Sequence, residues 1–194
     1  MECWASDRNN IWMGGLNGEL VHYDGNRWKR IASDIPDEWD ICGISGRGDT
    51  AVLAVTQYGT TGPTRFYHVI DEQPRFWRED SLPLGVQAIW CDGLDHIWTD
   101  GAHSFLWDGV RWLDMQVPYA GYGLDMAANH RNDIIICGDI CTIRHWNGKS
   151  WRSWWKWPGL ESARFYGIDV HQDEIWCVGV LDQGRRPLIT YGRR

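Results

Sequence analysis

Apolar and polar residues alternate over short distances along this chain, and no segment keeps a helical period for long. Apolar pairs recur just ahead of Gly-rich turns. Ile11-Trp12 precedes Met-Gly-Gly, Ile97-Trp98 precedes Thr-Asp-Gly, Ile135-Ile136 precedes Cys-Gly-Asp, and Ile175-Trp176 precedes Cys-Val-Gly. A degenerate copy stands at Val52-Leu53. The interval is roughly 40 residues, which marks an internal repeat rather than a single-copy fold.

A second element follows each pair. His22-Tyr23-Asp24-Gly25-Asn26-Arg27-Trp28 matches Leu106-Trp107-Asp108-Gly109-Val110-Arg111-Trp112 and His145-Trp146-Asn147-Gly148-Lys149-Ser150-Trp151. Asp-Gly and Asn-Gly are strong hairpin signals, because Gly accepts a positive φ and Asp or Asn tolerates the left-handed region. The second repeat has a longer, altered turn through Asp71-Glu72-Gln73-Pro74. Each unit therefore reads as four short strands. In the third they are Gln87–Cys91, His96–Thr99, Ser104–Trp107 and Arg111–Met115, each rich in β-branched or aromatic residues.

Units of this size, each unable to bury both faces alone, predict an all-β, five-bladed β-propeller, closed or nearly closed into a ring. The pattern Ile-Trp-x-Gly-Gly … Leu-x-His-Tyr-Asp-Gly-x-x-Trp in residues 11–28 resembles the blades of kelch-like and related bacterial β-propellers. Tachylectin-type five-bladed lectins are a more distant similarity. The resemblance implies a propeller fold, but such propellers serve as binding platforms, lectins and sometimes enzymes. The blades fall at about 1–36, 37–84, 85–120, 121–163 and 164–194 of one domain.

The last unit has strands near Phe165–Val170, Glu174–Val178 and Leu188–Tyr191, and stops where the Asp-Gly turn is due. It is expected to have three strands, the alternatives being a fragment or a strand supplied by a partner. The aromatic content then acquires an architectural reason. Of the 15 tryptophans, Trp12, Trp98 and Trp176 on second strands and Trp28, Trp77, Trp112 and Trp151 on fourth strands are expected to fill the wedges between blades.

Charge and cysteine usage narrow the function classes. Nineteen Lys and Arg against 26 Asp and Glu give a net charge of −7, which disfavours a nucleic-acid partner. The same charge fits a basic protein partner. No apolar stretch is long enough to span a bilayer, and the N-terminus shows no secretory signal. Six scattered cysteines in apolar segments are read as reduced thiols in a cytoplasmic protein. Cys137 and Cys141, with His130 and His145 nearby, lack the remaining ligand pair of a zinc site, so no metal or cofactor is expected.

No catalytic motif is present. Asp7, Asp92, Asp95, Asp125, Asp133, Asp169 and Asp173 are placed near first-to-second strand turns, where Asp bonds its own backbone, rather than in a central channel. The chain is therefore expected to be a non-enzymatic, protein-binding module, an inhibitor or immunity-type binder of a basic partner among the options. A carbohydrate-binding lectin is the alternative and a glycoside hydrolase the third reading. Loops between strands two and three should share a face with the inter-blade loops, opposite the Asp-Gly turns. On that face Trp39, Tyr58, Tyr122, Trp155, Trp157, Arg185 and Arg186 are the candidate partner-binding residues, since interface anchors favour aromatics and Arg.

Overall fold

In the computed structural model the described residues are 1–57, 63–80, 82, 85–118, 121–154, 159–181 and 186–193. They form five antiparallel sheets, arranged as a five-bladed propeller. Blade 1 holds β1 (Glu2–Asp7), β2 (Asn10–Gly14), β3 (Leu20–Tyr23) and β4 (Trp28–Arg30). Blade 2 holds β5 (Trp39–Arg47), β6 (Thr50–Gln57), β7 (Thr64–Ile70) and β8 (Gln73–Asp80). Blade 3 holds β9 (Val86–Cys91), β10 (Ile97–Gly101), β11 (Phe105–Trp107) and β12 (Trp112–Asp114). Blade 4 holds β13 (Gly123–His130), β14 (Asp133–Gly138), β15 (Ile143–Trp146) and β16 (Trp151–Trp154). Blade 5 has three strands, β17 (Arg164–His171), β18 (Glu174–Leu181) and β19 (Arg186–Arg193).

The strand register ties the repeats together. Trp12 pairs with His22, Val52 with His68, Trp98 with Leu106, Ile135 with His145 and Trp176 with Tyr191. The apolar pairs of blades 2 and 4 are thus Ala51-Val52 and Ile134-Ile135, one residue earlier than the sequence pattern placed them. A run such as Ile134-Ile135-Ile136 has no polar residue to mark which face each side chain takes, and a one-residue shift exchanges the faces.

Two faces emerge as the alternation of strands requires. The Asp-Gly and Asn-Gly turns stand beside the turns joining first and second strands: Gly25 lies against Asn9, Gly109 against Asp95 and Gly148 against Asn132. On the opposite face the amide of Ile41 donates to the carbonyl of Gly15 at 2.9 Å, and that of Cys141 to Ala163 at 2.8 Å. There the second-to-third strand loops meet the inter-blade segments.

Successive blades pack through apolar clusters. Trp12, Leu20 and Leu53 fill the first junction, Val52, Phe66 and Ile97 the second, Trp98, Ile134 and Ile136 the third, and Ile135, Phe165 and Cys177 the fourth. Polar links reinforce each one. The hydroxyl of Ser45 accepts from the Cys91 amide at 2.9 Å, and Trp112 donates its indole N–H to Asp80 at 3.1 Å. Arg144, fully buried, reaches Asp100 at 3.4 Å and the carbonyl of Gly121 at 3.1 Å. Asp100 also takes a hydrogen bond from Ser104, and Gly123 must lack a side chain because a Cβ would strike the Asp100 carboxylate.

Inner-strand packing runs from β1 to β5, β9, β13 and β17 in turn. Among the described residues no comparable packing returns from β17 to β1. Among the described residues the propeller is an arc, open between its last and first blades, where the repeat count had left a closed or a nearly closed ring.

Candidate functional site

Of the seven loop-face residues expected to act as partner anchors, Trp39, Tyr122 and Arg186 are among the described residues. Trp39 opens β5 and is only 7% exposed. Its ring is packed in the core between blades 1 and 2, with the Arg65 guanidinium 4.0 Å above it. It is a packing residue in this structure and not an exposed anchor. Tyr122 is partly exposed, and its carbonyl accepts from the Asp139 amide at 2.9 Å. Arg186 begins β19, paired in register with Leu181. Tyr58, Trp155, Trp157 and Arg185 lie outside the described residues.

The acidic residues also divide differently from expectation. Asp125 is not at a turn but near the start of inner strand β13. Its carboxylate accepts the amides of Met126 and, from blade 5, Ile168, each at 2.8 Å. Burial lifts its pKa to about 6 against the pull of those two bonds. Glu2 on β1 is raised to about 7, first by burial and then by the charge of Asp125. Both Asp125 oxygens are engaged, so the residue braces blade 4 against blade 5. Asp92 binds both Arg47 of blade 2 and Arg131 of blade 4, the latter at 2.9 Å. Burial opposes its ionisation, but the two cations hold its pKa below the usual carboxylate value.

The cysteines are free thiols. Cys137, Cys141 and Cys177 lie in the apolar cluster between blades 4 and 5, and burial lifts Cys141 to about 11 and Cys42 to about 12. Thiols so shifted stay protonated and behave as packing groups. Among the described residues no group of three or more His, Cys, Asp or Glu is disposed to hold a metal ion.

The tryptophan wedge explains both ends of the arc. Trp98 is fully buried and meets Trp151 of the next blade edge-on at 5.9 Å. Trp112 packs back on Phe66 of blade 2 at 5.3 Å. Second-strand tryptophans thus face the following blade, and outer-strand ones face the preceding blade. Trp176 has no following blade and is 46% exposed, while Trp28 has no preceding blade and is 51% exposed. The expectation that these two are buried wedges is corrected: they sit at the free ends. Around Trp176, Val178, Ile189 and Tyr191 share its face of blade 5 and are also exposed. Repeat spacing alone could not reveal this surface, because it gives Trp176 the same status as Trp98. The clue available was the position of Trp28 and Trp176 in the first and last units.

The other side of blade 5 faces blade 4 and holds a groove of about 590 Å³. Ile143, His145 and Trp154 line it from blade 4, and Ile175, Cys177 and Thr190 line it from blade 5.

The fold has clear counterparts among solved structures. YCF48 bound to a D1 peptide superposes with a TM-score of 0.66 at 14% identity, over 100% of this chain and 67% of that one. A protein of unknown function from Bacteroides caccae gives 0.72 at 12% identity, over 99% of this chain and 77% of that one. The Neurospora crassa Pan2 WD40 domain gives 0.69 at 12% identity, over 97% and 59%. At such identities the likeness is one of fold. Each of these chains is longer than the five-bladed arc. No family model matches the sequence, and no curated protein matches it, so the similarity to kelch-like and tachylectin-type blades is a likeness to propellers in general.

Proposed function

We propose that this protein is a non-enzymatic binding module that captures a protein partner at the open end of its arc. The observation that carries this reading is the apolar face of blade 5, where Trp176, Val178, Ile189 and Tyr191 stand exposed together. A cluster of large apolar residues on a rigid sheet marks an interaction surface. The peptide-bound YCF48 structure supports the reading, because the same fold there carries a peptide. In the described part of this chain one of the two inner-strand carboxylates with a raised pKa, Asp125, is committed to backbone amides.

The net charge of −7 makes a basic protein the preferred partner, drawn in by long-range attraction that salt screens. Six free thiols suit a reducing compartment, and we place the protein in the cytoplasm. Affinity capture from the native cell, in low and high salt, tests the reading. The wild type should retain one stoichiometric partner, more weakly at high salt, and Trp176→Arg should lose it. Failure to retain any protein, or equal capture by Trp176→Arg, refutes binding at this face.

A further inference from the structure

The groove on the inner side of blade 5 has a counterpart in the structure that is full. At the junction of blades 3 and 4, Trp146 and its hairpin partner Trp151 meet at 5.4 Å with their rings tilted by 46°, and press on blade 3. Leu106 and Met115 of blade 3 form part of that seat, and the Met115 carbonyl accepts the Trp151 indole N–H at 3.1 Å. One junction earlier, Trp107 and Trp112 stand at 5.6 Å and press on Phe66 and Trp77 of blade 2. The same slot is thus filled twice by an aromatic pair from a third and fourth strand.

Blade 5 supplies neither member. Register places Gly192 where blades 3 and 4 have Trp107 and Trp146, and no fourth strand follows β19 among the described residues. The seat nevertheless remains on blade 4. His145 and Trp154 occupy the positions of Leu106 and Met115, and both line the groove. Trp154 is thus the repeat counterpart of Met115, whose carbonyl accepts an indole.

From this we infer that the groove is a receptor for an extended segment of another protein, which adds to β19 as the fourth strand of blade 5 and lodges a tryptophan against Ile143, His145 and Trp154. Edge addition supplies backbone hydrogen bonds, and the pocket supplies side-chain selection. Arg152 and Arg193 border the groove, Arg193 held by Glu174 at 3.0 Å and by Asp173 at 3.7 Å, and Arg152 lying over the Trp154 ring. The segment is therefore selected by its tryptophan and its extended backbone, and not by its charge. Tyr191 borders both surfaces, but the groove lies on the side of blade 5 opposite to Trp176 and does not rest on the partner reading above.

The chain's own fourth strand gives the probe. A dye-labelled peptide with the sequence of residues 108–115, Asp-Gly-Val-Arg-Trp-Leu-Asp-Met, is titrated into the full chain and followed by fluorescence anisotropy. Saturable binding is expected, weakened at least about 10-fold when the peptide carries Trp112→Ala. The protein variant Thr190→Trp, which fills the groove from blade 5, should abolish binding while circular dichroism and melting stay as in the wild type. Hydrogen exchange should slow along β19 when peptide is added. Absence of binding at millimolar peptide overturns the inference. So does equal binding of the Trp and Ala peptides, binding undiminished by Thr190→Trp, or binding without protection of β19. The Trp176→Arg variant should bind the peptide like the wild type, which separates this result from the fate of the partner reading.

Discussion

Trp151 and Trp28 hold the same place in the repeat, the first residue of an outer strand after an Asn-Gly or Asp-Gly turn. Each packs with tilted rings on the aromatic residue paired with it, Trp146 at 5.4 Å and Tyr23 at 5.3 Å. Beyond that hairpin they diverge. Trp151 presses on Trp98 and donates its indole to the Met115 carbonyl, whereas Trp28 stands half in solvent. In a stack of repeats the energetic weight of a residue comes from its neighbour and only secondarily from its own unit. The closed junctions make the scaffold, and the unclosed ends leave Trp28 and Trp176 exposed.

The largest expected effect tests how a closed junction is held. Arg144 and Asp100 are both out of water, and removing one partner leaves an uncompensated buried charge or hydrogen-bond deficit. Arg144→Ala should cost about 3–5 kcal/mol in denaturant unfolding. Replacing Asp100 by Asn in the same chain should recover part of that loss. A cost within experimental error would mean that apolar packing alone holds blades 3 and 4 together.

The next test is the comparison itself. Trp151→Ala should lose about 3 kcal/mol, in line with truncating a large packed aromatic, while Trp28→Ala should lose less than about 1 kcal/mol. Equal losses would mean that Trp28 is covered in solution and that the arc closes on itself or on a partner.

The blade pattern was legible because Asp24-Gly25, Asp108-Gly109 and Asn147-Gly148 punctuate the chain and each is followed by Trp after two residues. The three-stranded last blade was legible for the same reason, from the absence of that turn. What escaped was everything decided by geometry between blades. Trp39 looks like a loop aromatic, yet it joins Leu53 and Val55 of the next strand in the core cluster between blades 1 and 2. Asp125 looks like one more turn residue, although register puts it opposite Cys137 with Ile168 within reach. The groove beneath blade 5 was invisible because it is defined by an absent strand, and only the filled slots of blades 3 and 4 give it meaning.

Acidity provides a smaller effect that separates the inner end of the arc from its junctions. The Asp125 pKa rises from 3.8 to about 6 on folding and that of Glu2 from 4.5 to about 7. The folded chain therefore binds more protons than the unfolded chain within those windows, and stability falls as pH rises through them. Glu2→Gln removes one of the two ionisations and the repulsion between them. Its melting temperature should match that of the wild type near pH 4, where both carboxyls are protonated. It should exceed the wild type by a few degrees above pH 7. An unchanged difference across that range would mean that the two groups do not titrate anomalously.

The smallest effect asks whether the slot in blade 5 is empty by geometry alone. Gly192 occupies the position of Trp107 and Trp146, and a Cβ built there meets nothing within 4 Å. Its φ is not in the left-handed region, so a side chain brings no backbone strain. Gly192→Trp should therefore place an indole over Ile175 and bury apolar surface that now lines the groove. Filling such a space gains about 0.5–2 kcal/mol in favourable cases, and the lower end applies because the second aromatic of the pair is still missing. The same variant should weaken any segment that enters beside β19, by occupying the room its side chain needs. Stabilisation together with loss of binding would show that the two ends of the comparison are one design, a slot filled from within in blades 3 and 4 and from outside in blade 5. Destabilisation would show instead that β19 is already packed in a way the filled junctions do not share.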